Sequence, residues 1–397
     1  METRSVQHLT KENTMKDSLN GLKGPASRRS FLKQGLVAAG TATMGAGLLA
    51  KGVSLFGQDQ NENGNLNNGD IAILRFLAAA ELIESDLWQQ YAELGGIGDN
   101  PPIEVDPNQT LNNYQIALSN LDSDGPQYIT SNWTDEVSHA AFLNGYLESK
   151  GADPVDLDEF RTLPSSKATG AQDIGRLTNL MSLNVDTSWY IRYRSTTNPD
   201  FGATFPQAIT LNGVTAIPRN NDDFNGVPFN GLPGNAHVQA IANVAAFHFG
   251  YIEQGGSSLY ATLSQKVSSL EVLKITLGVG GDEIAHFLEW VDFSGNGVQA
   301  PVAPFRDPKS GLMFPNFFSQ YPNPLNQPSL IFPIPCEFIS PGLPNCAVIR
   351  PSDDKFAGAV ATIASFTADG LFVGQQPKFF QTVNQLAEEA DAAAREL

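Results

Sequence analysis

A glutamate stands three residues before a histidine twice in this chain, at Glu136-Val137-Ser138-His139 and at Glu283-Ile284-Ala285-His286. Only four histidines lie beyond residue 57, and with 18 glutamates in 397 residues composition alone predicts about 0.2 such pairs. Both pairs fall in segments with helical periodicity. On a helix, an i, i+3 spacing sets the carboxylate and the imidazole about 60° apart on one face, within reach of one site. A chain with two such faces has to enclose them together or leave each in water.

Each pair is preceded by a helical segment with a glutamate inside its apolar stripe. Glu81 is in register with Leu74, Leu77, Ala78, Ser85 and Trp88, and Glu253 with Ala246, Phe249, Gly250, Ser257 and Tyr260. A carboxylate buried without a partner costs several kcal/mol, so its place on a core face calls for a cation or a hydrogen-bond network. Glu84, three residues after Glu81, is the other candidate on the first helix, as ligand or as supporting carboxylate. Glu81 is preferred because Glu81–Trp88 repeats the Glu253–Tyr260 spacing. Trp88 and Tyr260 read most simply as core aromatics, although an aromatic beside a dimetal site can also relay electrons; His248 reads as a core or interface histidine, and His237 as structural, near a helix start.

The 3.6-residue period predicts helices over 71–91, 111–121, 128–149, 171–195, 237–267, 270–293, 355–369 and 376–396. Asn212-Gly213, between Ala208–Leu211 and Val214–Ile217, predicts a β-hairpin. Residues 296–352 hold 12 of the 25 prolines and are expected to form an irregular arm. The class is therefore all-α, with three regions: 1–57, a helical region at 68–295 carrying an insertion at 151–236, and 296–397, the arm with two C-terminal helices packing on the rest.

The first region has its own character. Ser27-Arg28-Arg29-Ser30-Phe31-Leu32-Lys33 precedes an uncharged, Ala/Gly-rich run from Gln34 to Ala50, and together they resemble a twin-arginine export signal. No small-x-small cleavage site stands out, so both a cleaved leader and an uncleaved membrane anchor stay open. The resemblance implies a periplasmic or extracellular protein that folds before export, often around a cofactor. Outside the reducing cytoplasm, Cys336 and Cys346 become candidates for an intrachain disulfide. Residues 58–397 carry a net charge of −23, a surface that repels phosphate backbones and anionic lipid and argues against nucleic-acid binding. Membrane contact is expected only through the signal.

In chain order the motifs run Glu, Glu-x-x-His, Glu, Glu-x-x-His. This resembles the ferritin-like superfamily of dimetal-carboxylate four-helix bundles. The leader, the stretch Phe247–Tyr260 with its Ile252-Glu253-Gln254-Gly255-Gly256-Ser257-Ser258 core, and the chain length look like exported bacterial ferritin-like-domain proteins, related to desiccation- and stress-associated members. The resemblance implies a ferritin-like four-helix bundle with a hairpin insertion, and as ligands Glu81, Glu136, His139, Glu253, Glu283 and His286. In a second register, helix 171–195 takes the third position and Asp186 replaces Glu253; this leaves Ala245 where a Glu-x-x-His needs its glutamate. Four carboxylates and two imidazoles suit two iron or manganese ions, which could act on O2 or peroxide as an oxidase or peroxidase. The alternative is a non-enzymatic stress-related structural or binding protein with a vestigial metal site. A homo-oligomer is compatible with either.

Overall fold

The computed structural model describes residues 66–97, 110–192, 207–317, 333–334, 339–340, 342–348 and 353–396. All lie in the unit Asn65–Leu397. The segment that resembles an export signal and Cys336 fall outside the described residues, and with Cys336 the expected disulfide; Cys346 is exposed.

The protein is mostly α. Four long helices dominate: α1 (Asn68–Gly95), α3 (Gly125–Ser149), α5 (Ala236–Ser264) and α6 (Leu270–Asn296), with the short α2 (Asn113–Leu121) between the first two. α1 lies along α3 and α5 along α6. In both pairs the chain runs antiparallel: Ile97, just past the end of α1, donates to Thr130 near the start of α3, and Gly256 and Tyr260 of α5 face Glu283 and Gly280 of α6.

Capping fixes where these helices begin. The Asn67 side chain accepts from Asp70 N (2.7 Å), Asn112 and Gln115 form a reciprocal capping box, and Asn235 and Ser269 cap α5 and α6. The Asp70 carboxylate in turn accepts from the amides of Ser268 and Ser269 (2.8 and 2.9 Å), tying the start of α1 to the α5–α6 turn. α5 is buried along nearly its whole length, the signature of a helix packed on every side.

Two sequence expectations fail within 151–236. Residues 171–182 are irregular and carry no helix; the chain then forms a strand, β1 (Leu183–Val185), and a single helical turn, α4 (Trp189–Arg192). The apolar period is present, but distant groups capture the amides a helix would need. Asp86 of α1, fully buried, accepts from Leu177 N (3.0 Å) and Thr178 N (2.9 Å), and Arg176 N pairs with Leu163 O. Thr178, Asn179, Ser182, Asn184, Thr187 and Ser188 weaken any competing helix. The predicted hairpin does not form either: β2 (Leu211–Val214) pairs antiparallel with β1, because Leu183, Val185, Leu211 and Val214 are the buried positions and pair across one small sheet.

Beyond α6 the proline-rich stretch is irregular where described, apart from two-residue strand pairs. The predicted helix at 355–369 is split at Gly358 into α7 (Asp354–Ala357) and α8 (Ala359–Asp369). Asp391 near the end of α9 (Pro377–Asp391) caps α8 by accepting from Ala359 N and Val360 N, and α9 lies against α1. Among the described residues no helix is long and apolar enough to cross a membrane.

Candidate metal centre

The six residues singled out in the sequence converge between α1, α3, α5 and α6. They form two overlapping groups, Glu81–Glu136–His139–Glu283 and Glu136–Glu253–Glu283–His286, in each of which one ligand atom per residue lies within 4.8 Å of all the others. Glu136 and Glu283 belong to both groups. Each half thus has one histidine and one glutamate of its own, and the two halves share two carboxylates.

His139 Nδ1 stands 3.2 Å from Glu136 Oε2, 3.3 Å from Glu81 Oε2 and 3.7 Å from Glu283 Oε1. His286 Nδ1 stands 3.3 Å from Glu136 Oε1 and 3.4 Å from Glu253 Oε2. One ring nitrogen cannot bond two or three carboxylates at once. Separations of about 3 Å are those between neighbouring ligand atoms around one small cation. The unspent valences agree: Glu81 Oε2, Glu136 Oε1, Glu253 Oε2, both oxygens of Glu283, and His286 Nδ1 are buried with no hydrogen-bond partner. Native interiors leave few such groups unpaired, and here they point at one spot.

The electrostatics follow from crowding. Burial, then repulsion from Glu81, pushes Glu136 up to about 8, and burial with repulsion from Glu136 and Glu84 raises Glu283 well above the carboxylate range. Burial works against the charged form of His139, but the carboxylates of Asp282, Glu136 and Glu81 beside the ring outweigh it and push the imidazole up to about 12. His286 is likewise raised against its burial, chiefly by Glu253. Burial also opposes ionisation of Glu81, yet His139 and the Tyr260 hydroxyl hold it below its ordinary value. Carboxylates that retain protons because burial and mutual repulsion disfavour their charge are ready to exchange those protons for cations.

The two halves are related along the sequence as well as in space. Glu81, Ser85 and Trp88 on α1 match Glu253, Ser257 and Tyr260 on α5, but Glu84 is matched by Gly256. A Cβ at Gly256 would stand 2.0 Å from Glu283 Oε2, so glycine is the residue that lets Glu283 occupy its place. Glu84 is buried beside the cluster without joining either group. Burial and repulsion from Glu136, Glu81 and Glu253 hold its carboxyl well above the usual range.

Three residues at the site, Asp135, Asp282 and Asn132, were missed in the sequence, and a fourth, Tyr260, does more there than pack. Asp135 and Asp282 each immediately precede the glutamate of a Glu-x-x-His, a repeat visible in the chain as Asp-Glu-x-x-His. His139 Nε2 meets Asp282 across the gap between α3 and α6 (3.2 Å), and His286 Nε2 meets Asp135 (3.4 Å). The outer nitrogen of each ring is thereby held and the inner one aimed at the carboxylates. Tyr260, read most simply as a core aromatic, donates from its hydroxyl to Glu81 Oε1, and Asn132 donates to Glu253 Oε1 (3.2 Å). The register with Asp186 as a ligand is excluded, because that residue follows β1 in an irregular segment with no helix to carry it.

The other two histidines among the described residues have structural partners. His248 is fully buried between Tyr91 and Asp369. His237, the second residue of α5, lies between Asp307 Oδ2 (2.9 Å) and Asp223 Oδ1 (3.2 Å). Two surface cavities of about 420 and 90 Å3 are lined by residues such as Thr210, Met313 and Ile241 and hold none of the converging carboxylates. Comparison with protein-family models, curated proteins and solved structures found no match.

Proposed function

We propose that this chain is an exported protein with a ferritin-like four-helix bundle that holds two iron or manganese ions in a dimetal-carboxylate centre. Glu81 and His139 would serve one ion, Glu253 and His286 the other, and Glu136 and Glu283 both. The observation that carries this reading is the pair of four-residue groups sharing two carboxylates, with six buried ligand atoms otherwise unpartnered. Carboxylate oxygen and imidazole nitrogen favour iron or manganese, and no thiolate redirects the choice. Four ionised glutamates balance two divalent cations.

Such a pair of ions supplies reversible one-electron chemistry toward O2 or peroxide. The chain's own residues set the conditions for it. Asp135 and Asp282 fix the two rings, Tyr260 and Asn132 hold the outer oxygens of Glu81 and Glu253, and Gly256 leaves room for Glu283. Asp135 and Asp282, both half-buried, mark the side on which the centre approaches solvent. The twin-arginine resemblance supports a location outside the cytoplasm and fits a centre loaded before export.

The deciding experiment is elemental analysis of protein recovered after native export, beside the double variant Glu136→Ala/Glu283→Ala. About two iron or manganese ions per chain in the wild type, lost in the variant, are expected. A folded wild type with no bound transition metal would overturn the reading.

A further inference from the structure

The hydroxyl of Tyr91 lies 2.8 Å from His248 Nδ1, and His248 Nε2 lies 3.1 Å from Asp369 Oδ2. All three side chains are at most 1% exposed. With its proton on Nε2, His248 donates to Asp369 and offers Nδ1 as an acceptor to the phenol, an assignment that satisfies every bond in the row. Burial, with Tyr114 and Asp369 nearby, holds the Tyr91 phenol far above its ordinary value. It is a neutral phenol aimed at a base, and a buried phenol can give up an electron only if its proton has somewhere to go.

The route toward the candidate metal centre is aromatic. Tyr91 packs against Trp88 (ring centroids 5.7 Å apart), and Trp88 stacks on Trp290 at 5.5 Å. Trp88 follows Glu81 by seven residues, and Trp290 follows Glu283 by seven and His286 by four, so each tryptophan lies on the ligand-bearing face of its helix, two turns from Glu81 and one turn from His286. Phe249 fills the angle between Tyr91 and Trp88, at 4.6 and 4.9 Å. The indole nitrogens of Trp88 and Trp290 make no hydrogen bond.

We propose that Tyr91 is a redox-active tyrosine that delivers one electron to the dimetal centre through Trp88 and Trp290 while its proton moves to His248. The inference rests on the dimetal reading and names peroxide as the oxidant. Hydrogen peroxide takes up two electrons and two solvent protons and leaves as two waters. One electron comes from the centre and the other from Tyr91, whose O–H proton shifts along the hydrogen bond to His248 Nδ1. A neutral phenoxyl radical remains beside an imidazolium held by Asp369. Tyr260 is the competing tyrosine, but its hydroxyl donates to Glu81, itself assigned to a cation, and no imidazole stands ready for its proton.

The test is electron paramagnetic resonance of the full-length, metal-loaded protein, freeze-quenched after addition of hydrogen peroxide. An organic radical is expected whose hyperfine structure collapses with ring-deuterated tyrosine and which is lost in Tyr91→Phe at unchanged metal content. Labelling histidine with 15N gives a readout that needs no variant, since a radical hydrogen-bonded to His248 couples to the imidazole nitrogen. A protein that binds two metals and forms no tyrosine radical, or one whose radical survives Tyr91→Phe or lacks the nitrogen coupling, overturns the inference and leaves the dimetal centre standing. A protein that binds no metal overturns both.

Discussion

His139 on α3 is held by Asp282 on α6, 3.2 Å away, and the relation is returned by His286 and Asp135. The exchange crosses a seam where the two helices otherwise touch little. Asp282→Asn is therefore expected to loosen the ring that serves the Glu81 half of the centre, and Asp135→Asn the ring that serves the Glu253 half. Each should weaken its own metal site about 10–100-fold with helix content unchanged. Chelator competition, following the two ions separately, checks this; equal weakening of both sites by either variant would count against the crossed assignment.

Gly256→Ala places a methyl group on Glu283, the carboxylate shared by both halves. The expected result is loss of at least one bound ion and, with it, a lower melting temperature, because the methyl group displaces the Glu283 carboxylate from the place both halves share. Gly278→Ala on α6, where a methyl group meets nothing, should leave metal content intact and raise stability by about 0.5–1 kcal/mol. Metal analysis and thermal melts of the two variants make the comparison.

Stability should depend on metal in a direction that separates a ligand set from a dry polar network. Saturating cation at about 100 times its dissociation constant is expected to add about 2.7 kcal/mol, and Glu136→Gln should abolish that gain. After thorough chelation the same variant should be as stable as the wild type or more so, since a repelled carboxylate has been removed. A chelated wild type that exceeds the chelated variant by several kcal/mol would show instead that Glu136 is a satisfied structural group.

A second charged cluster makes a pH prediction remote from the centre. Burial opposes ionisation of Asp307, but hydrogen bonds from His237, Ser310 and Lys309 N outweigh it and hold the carboxyl at about 2, against an ordinary 3.8. A lowered carboxyl pKa contributes stability that is fully present above the unfolded value, about pH 4, and is lost as pH falls through about 2. Asp307→Asn is expected to cost roughly 1–2 kcal/mol at neutral pH, allowing for solvent screening. The difference from wild type should shrink toward zero near pH 2 in denaturant titrations.

Asp86 anchors the insertion to α1. Its buried carboxylate accepts from Leu177 N, Thr178 N, the Thr178 hydroxyl, Gln90 and Arg161. Asp86→Ala strands these donors and leaves Arg161 without its buried partner, at an expected cost of about 3–5 kcal/mol. Proteolysis across 151–192 should accelerate before the four long helices melt.

The helices that carry chemistry are legible in the chain alone. Their apolar period is strong, their caps are local, and Glu81, Glu136, His139, Glu253, Glu283 and His286 lie in register on those faces, so each position follows from spacing along one element. Whatever depended on a partner far along the chain was settled by packing. Residues 171–182 have the apolar period of a helix and form none, because Asp86, some 90 residues earlier, binds their amides more favourably than a helix would. Leu211–Val214 pairs with Leu183–Val185 instead of its sequence neighbour because burying four apolar side chains outweighs a good turn. Asp-Glu-x-x-His is legible as a repeat, but that each aspartate serves the histidine of the other helix is not. A one-dimensional pattern states which face a residue occupies, and only the packing of helices states which faces meet.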